Sequence, residues 1–123
     1  GLGVFTTKKF EENKYVLYYS GIYSDVEPSG DSTYIFELLS GRRHQWLDAR
    51  HDNGQAKYIN DDCNRPNLKV KTLYQDGQSI PCFLANRVIA PEEEITYDYG
   101  KYVKYFWREK GEKMTICFCV CQI

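Results

Sequence analysis

Two tyrosines stand one residue apart in the segment Tyr-Asp-Tyr-Gly at 97–100. Side chains at positions i and i+2 of an extended chain point to the same side, so the phenol oxygens of Tyr97 and Tyr99 can line one pocket. Such a pocket has apolar walls with polar tips. Tyr19, two residues ahead of a glycine, offers a third phenol. The alternative for the Tyr97 segment is a strand end that only buries two rings.

The cysteines suggest a second kind of chemistry. There are five of them, an odd number, and three stand in a C-x-C-x-C cluster near the end of the chain. This is a poor disulfide framework, and it favours a reducing, intracellular compartment. The cluster is also compatible with a thiolate metal site. Cys63 would complete a four-thiolate zinc site with Cys117, Cys119 and Cys121. The alternative is a buried strand whose cysteines share one face, and the sequence favours neither interpretation.

Composition limits the classes of protein to consider. A chain of 123 residues with 42% hydrophobic and 15% aromatic residues predicts one packed domain. The net charge of −1 and the pI of about 6.1 do not suggest direct binding of nucleic acid. The acidic run Glu92–Glu94 is compatible with a cationic peptide partner, although for this run taken alone a solvated turn is the better explanation. No apolar run reaches the length of a membrane span, no signal peptide is recognisable, and the missing initial methionine predicts a fragment of something longer.

The elements that would position these residues are mostly β-strands. Short β-like runs alternate with turn residues, and no segment keeps a helical period over more than about three turns. The predicted strands are Leu2–Thr6, Tyr15–Ser20, Thr33–Leu38, Gln45–Ala49, Leu68–Tyr74, Ser79–Ala85, Glu94–Tyr97 and Thr115–Cys121. Gln55–Ile59 and Tyr102–Trp107 are predicted to form a helical turn or two each.

One hairpin can be predicted in detail. Asp76-Gly77 separates two β-like runs, and this dipeptide favours a tight turn because glycine accepts positive φ. Leu68–Ala85 is therefore predicted to be a β-hairpin. Pro81 lacks a backbone N–H, which predicts an edge or a bulge for the second strand.

Four motifs occur in an order that resembles the SET domain, over nearly the whole chain. Residues 1–8 (GLGVFTTK) match the opening G-x-G-V-x-A/T pattern of that family, and residues 18–21 (YYSG) stand where it has E-Y-x-G. Residues 58–63 (YINDDC) stand for R/Y-F-I-N-H-S-C. Residues 93–100 (EEITYDYG) match E-E-L-T-Y-D-Y-G almost letter for letter, and this last motif is the most specific.

The resemblance implies a fold and an activity. The fold would be mostly β, with several small sheets, short helices and a C-terminal segment that threads near the Asn60 loop in a pseudoknot-like arrangement. Residues 1–107 would form the SET core and residues 108–123 a post-SET-like segment. The activity would be S-adenosylmethionine-dependent methylation of a protein lysine, in a nuclear enzyme. The partner would be a basic peptide such as a histone tail, and the chain would be a monomer.

The resemblance also assigns roles to the tyrosines. Tyr99 would be the catalytic tyrosine and Tyr19 a wall of the lysine channel. Tyr97 would limit the number of methyl groups and favour monomethylation. The hairpin and Tyr97 make the chain most similar to the SET enzymes that monomethylate the histone H4 tail.

The cofactor would be held by a second group of residues. Leu2 and Gly3 would contact S-adenosylmethionine through their backbone, and Asn60 and Asp61 would hold its amino-acid and adenine parts. Trp107 would stack on the adenine. The cysteine-rich end is similar to a post-SET zinc segment, although that segment usually has a wider gap before its last cysteine.

Two departures from the family pattern leave two hypotheses open. Asp61-Asp62 replace the His-Ser of the family, and Tyr18 replaces an acidic residue. The first hypothesis is an active lysine methyltransferase. The second is a catalytically impaired SET-fold module that binds proteins.

Overall fold

The computed structural model describes residues 2–40, 42–100 and 118–122, with Ser40 and 118–122 described by their backbone alone. Within these ranges the chain forms ten strands and one short 3-10 helix. They are β1 Leu2–Phe5, β2 Tyr15–Tyr18, β3 Ile22–Ser24, β4 Ile35–Ser40, β5 Arg43–Asp48, the 3-10 helix Ala56–Tyr58, β6 Asn60–Asp61, β7 Leu68–Gln75, β8 Gln78–Ala85, β9 Thr96–Tyr97 and β10 Phe118–Gln122. The prediction of a mostly β fold built from small sheets is confirmed. In the part of the chain that is described, no helix is both long and apolar enough to cross a membrane.

The predicted hairpin is confirmed as strands β7 and β8. They pair antiparallel from Leu68 opposite Ala85 to Gln75 opposite Gln78. The two turn residues between them, Asp76 and Gly77, have φ values of 52° and 76°. Positive φ at both central residues is what a tight type I′ turn requires, and it matches the twist of the flanking strands.

Pro81 predicted an edge or a bulge for the second strand, and the edge is wrong. The pairing of β8 with β2 does contain a register irregularity, between Tyr15 and Leu17. Strand β8 is the central strand of the sheet β2-β8-β7. The carbonyl of Pro81 accepts a hydrogen bond from the amide of Tyr19 (2.9 Å), just beyond the last β2 pair, Tyr18 with Cys82. Because N and C=O of an extended residue point to the same side, the proline nitrogen also faces Tyr19, at the end of the β2 pairing. The missing N–H therefore lies at the point where strand β2 stops.

A second sheet has the order β3-β5-β4, and its first strand begins directly after Gly21. A Cβ atom at Gly21 would lie 2.5 Å from the backbone oxygen of Asp48, which is closer than any side chain tolerates. The glycine therefore lets β3 approach β5 directly after Tyr19. Strand β3 was not predicted, since three residues are too few to show an alternating pattern.

The two parallel pairs bring the ends of the chain together. Strand β1 pairs with β10, and β6 pairs with β9 through Asn60 opposite Thr96 and Asp61 opposite Tyr97. The amide of Asp62 extends the second pair by donating to the carbonyl of Tyr97 (3.0 Å). Residues 94–100 therefore run alongside the loop that follows Asn60, which is the threading that the resemblance implied.

The core lies between these small sheets. Its largest fully buried apolar side chains come from widely separated positions in the described chain, and each contributes roughly 1.5–3 kcal/mol by leaving water. They include Val4, Leu47, Ile59, Leu68, Phe83, Ile89 and Ile95. Ile59 and Ile95 flank the short strands β6 and β9, so the core directly supports the segments that carry Asn60 and Tyr97.

Candidate active site

A cavity of about 270 Å³ is lined by residues of the β3–β4 connection, β4 and β5, and by the tyrosines of the motif at residues 93–100. All three predicted tyrosines, Tyr19, Tyr97 and Tyr99, line it together. They come from separate parts of the sequence, and the structure brings them into one site as the resemblance implied. The remaining lining includes the carboxylates of Glu27 and Glu37 and the ammonium of Lys57.

The wall of the cavity is a packed group of aromatic rings. Tyr97 lies 4.7 Å from Tyr99, 4.8 Å from Phe83 and 6.3 Å from Phe36 between ring centroids. Phe36 in turn lies 5.1 Å from Tyr19. Tyr19 and Tyr97 are almost fully buried. Tilted and offset rings at these distances stabilise one another beyond the area that they bury, so this wall is rigid.

Tyr99 is held at both ends. Its hydroxyl donates a hydrogen bond to the carbonyl of Ile59. Its backbone amide donates to Oδ1 of Asp61 at 2.9 Å. The amide of the next residue, Gly100, donates to Oδ1 of Asp98 at 2.9 Å, and Gly100 has a φ of 128°. The chain therefore leaves the site through a turn that only glycine adopts readily.

Asn60 connects β1 to the acidic motif. Its buried amide nitrogen donates to the carbonyl of Leu2 (3.0 Å) and to Oε2 of Glu94 (3.1 Å). The structure thus brings Leu2 and Asn60 together, with Gly3 buried next to them. Among the described residues, the side chains that line the cavity do not include those of Leu2, Gly3, Asn60 and Asp61. A role of these four in binding the cofactor stays a prediction.

Asp61 and Asp62 make different contacts. Asp61 is 3% exposed and faces Tyr99. Oδ1 of Asp62 instead accepts the amides of Asn64 (3.1 Å) and Arg65 (3.0 Å). These bonds cap the turn that follows β6, which is a common role for aspartate.

Lys57 is a candidate that the sequence analysis missed. Its Nζ lies over the rings of Tyr34 (5.7 Å) and Tyr58 (5.1 Å) and donates to the carbonyl of Asp52 (2.6 Å). Burial, followed by the nearby charges of Tyr58 and Asp31, raises the pKa of Tyr34. The sequence shows only that Lys57 lies on the predicted helical turn just before Asn60. The spacing of the residues does not indicate that Lys57 shares a cavity with Tyr97.

Asn67 is a second residue whose role was missed. Asn67 is 2% exposed, and its side-chain amide forms hydrogen bonds with the backbone of two residues that precede Tyr97. Nδ2 donates to the carbonyl of Glu94 (2.8 Å), and Oδ1 accepts the amide of Thr96 (2.8 Å). This amide mimics a strand partner and fixes the backbone that leads into Tyr97.

The loop that borders the cavity is fixed by Arg50. Nη1 of Arg50 donates to the carbonyl of Ser29 (2.6 Å), and the guanidinium pairs with Asp48 (2.7 Å). The side-chain hydrogen bond from Arg50 holds the pKa of Asp48 below its ordinary value, although desolvation opposes this. Glu37 on β4 also lines the cavity, and it contacts Nε2 of His44 at 2.6 Å. The cavity therefore has carboxylates at Glu27 and Glu37 and a cation at Lys57.

The predicted zinc ligands and the predicted adenine stack fall mostly outside the described residues. Trp107 and Cys117 lie outside them, and the side chains of Cys119 and Cys121 are not described. Cys63 is described and is exposed. Within the described ranges no group of three or more potential metal ligands occurs. Zinc therefore stays a prediction.

The comparisons with known proteins decide the family. Residues 1–100 match the SET domain. The chain belongs to the SET domain family. Histone-lysine N-methyltransferase set-1 of Caenorhabditis elegans is 33% identical over 115 residues, which are 81% of this chain and 46% of that protein. This SET domain chain therefore spans less than half of that relative.

Solved structures agree with this assignment. The crystal structure of CpSET8 from Cryptosporidium matches with a TM-score of 0.66 at 19% identity, over 79% of this chain and 51% of that chain, and shows the fold alone. A crystal structure of KRYPTONITE in complex with DNA, a histone H3 peptide and S-adenosylhomocysteine (SAH) matches with a TM-score of 0.66 at 28% identity. It covers 79% of this chain and 20% of that chain. The SET fold of this chain is thereby confirmed.

Proposed function

We propose that the chain is the catalytic core of a protein-lysine methyltransferase that transfers a methyl group from S-adenosylmethionine to a lysine of a histone tail. The observation that carries this proposal is the shared cavity of Tyr19, Tyr97 and Tyr99. The SET domain relatives named histone-lysine methyltransferases support the substrate class. The histone peptide bound to KRYPTONITE supports it as well.

The cavity suits the two charged molecules that the reaction brings together. Lys57 would hold the carboxylate of the cofactor, because it is the ammonium in the described lining. The faces of the tyrosine rings attract cations and would accommodate a sulfonium or an ammonium. Glu27 and Glu37, which also line the cavity, would attract a basic peptide. These residues fit the cofactor and the substrate that the family implies.

The cofactor supplies the methyl group and a good leaving group when it is bound. The protein must then present the lysine as a neutral amine. Free lysine has a pKa of about 10.4, and desolvation lowers that value because it disfavours the ammonium. The buried rings of Tyr19 and Tyr97 provide the desolvation. The Tyr99 hydroxyl, fixed on the Ile59 carbonyl, provides an oriented oxygen for the amine.

The finer assignments are also proposals. Tyr97 would limit the product to monomethyl lysine, because its hydroxyl occupies space that a methylated amine needs. The chain would resemble the histone H4 enzymes most, act in the nucleus and work as a monomer. Residues 1–107 would be the core, and residues 108–123 a post-SET-like segment in which Cys117, Cys119 and Cys121 bind zinc together with Cys63.

A transfer assay with Tyr99→Phe tests the proposal. Wild-type chain is incubated with histone H3 and H4 tail peptides and S-adenosylmethionine, and the peptides are analysed by mass spectrometry. We expect a methylated lysine in the wild type and a loss of about a hundredfold or more in Tyr99→Phe, the scale of one oriented hydrogen-bonding group. Equal transfer by both proteins would contradict the role of Tyr99. A folded chain that binds peptide and transfers nothing would instead be the impaired binding module.

A further inference from the structure

The segment Ile59–Asp61 accepts two hydrogen bonds from Tyr99, one from its hydroxyl and one from its backbone amide. The hydroxyl at the far end of the side chain donates to the Ile59 carbonyl. The backbone amide at the near end donates to Oδ1 of Asp61 at 2.9 Å. Two contacts at opposite ends of one residue set both its position and the direction of its ring. One of the two is made by a carboxylate that departs from the family pattern.

We propose that the Asp61 carboxylate is a positioning residue for Tyr99. This inference rests on the proposed function, since it concerns the tyrosine assigned to the reaction. Asp61 is 3% exposed, and a buried carboxylate is costly unless hydrogen bonds compensate it. Its bond to an amide is charge-assisted and therefore about twice as strong as a neutral one. In the β6–β9 pair Asp61 also lies opposite Tyr97, so it adjoins both tyrosines of the motif.

The role belongs to Asp61 and not to its neighbour. The carboxylate of Asp62 is bonded to the amides of Asn64 and Arg65 in the following turn. Of the two acidic residues that replace the His-Ser of the family, only Asp61 is bonded to the amide of Tyr99. What this position needs is an acceptor for that amide. An aspartate meets the need, and the departure is therefore compatible with catalysis.

Two variants of similar size separate the acceptor from the charge. Asp61→Asn keeps an oxygen at Oδ1, whereas Asp61→Leu removes it. We expect the kcat of Asp61→Leu to be about tenfold or more below that of Asp61→Asn, because leucine leaves the Tyr99 amide without its acceptor. The KM for peptide should differ between the two variants by no more than about twofold. Asp62→Asn is the matched control, and its kcat should stay within about twofold of wild type because asparagine also caps turns.

A second measurement does not depend on transfer. Hydrogen exchange of the Tyr99 amide, followed by NMR, should be slow in wild type and Asp61→Asn and at least tenfold faster in Asp61→Leu, with Asp61→Ala as the substitute if the leucine variant does not fold. Rapid exchange of this amide in the wild type would overturn the inference, as would equal kcat values for the two Asp61 variants. If the wild type transfers no methyl group, the proposed function fails and the exchange experiment still decides the contact.

Discussion

Asn67→Ala should destabilise the chain more than the loss of a small polar side chain suggests. The substitution removes the partner of two backbone groups, the carbonyl of Glu94 and the amide of Thr96, each at 2.8 Å. Asn67 is 2% exposed, so water does not readily replace it. A buried backbone group that loses its partner costs about 1–3 kcal/mol, and two such groups predict a loss of about 3 kcal/mol or more. This is a large part of the 5–15 kcal/mol that is typical of a small domain.

Urea denaturation measures this loss directly. For a slope of about 2 kcal/mol per M, a loss of 3 kcal/mol lowers the midpoint by about 1.5 M. The melting temperature should fall by about 12 °C. Asn86→Ala is the control, because Asn86 is exposed and its side chain donates a long hydrogen bond (3.4 Å) to the Pro66 carbonyl. That variant should lose less than about 0.5 kcal/mol.

The result also bears on function. Asn67 fixes the backbone that enters β9, and β9 carries Tyr97 into the cavity. Where the Asn67→Ala variant is still folded, its methyl transfer should therefore be reduced as well. A free energy of unfolding within 0.5 kcal/mol of wild type would refute the reasoning, since it would mean that the two bonds contribute nothing net or are replaced without cost.

Three further outcomes are expected. Tyr97→Phe should shift the product from monomethyl towards dimethyl lysine, and an unchanged distribution in mass spectra would rule out its limiting role. Gly21→Ala should cost about 1–3 kcal/mol in urea denaturation, because its Cβ would meet the oxygen of Asp48 at 2.5 Å; a neutral effect would mean that β3 shifts freely. Burial raises the pKa of Glu93, but hydrogen bonds from Arg87 and from the Ala90 amide outweigh this and hold it below its ordinary 4.5. The stability that this carboxylate adds is therefore present above about pH 4.5 and lost as the pH falls towards the folded-state pKa. Glu93→Gln should remove that part of the pH dependence of unfolding, and an identical profile would contradict it.

Much of the fold could be predicted because its longer strands show their pattern locally. Alternation and the Asp76-Gly77 turn predicted β7 and β8 with nearly correct ends. Strands of two or three residues, such as Asn60–Asp61 and Ile22–Ser24, carry too little pattern to be recognised. They exist because a distant partner supplies their hydrogen bonds. The edge position of Pro81 was predicted wrongly for a related reason, since the sequence does not show where a neighbouring strand ends.

In the candidate site as well, local sequence pattern predicted some residues, whereas the roles of others depend on tertiary contacts. The tyrosines Tyr97 and Tyr99 could be predicted to share a pocket, because residues two apart on a strand share a face. That Tyr19 joins them came from the family resemblance. Lys57 and Asn67 gave no comparable signal, since their roles depend on tertiary contacts with Tyr34 and with the Glu94 backbone.

The central claim is that this cavity binds S-adenosylmethionine for transfer to a lysine, and a calorimetric titration of the folded chain with S-adenosylmethionine tests it most directly. We predict saturable binding with one cofactor per chain, which would show that Asp61 and Asp62 are tolerated in place of the family's His-Ser. No detectable binding to a chain that circular dichroism shows to be folded would contradict the account and favour a SET-fold module that binds proteins without catalysis.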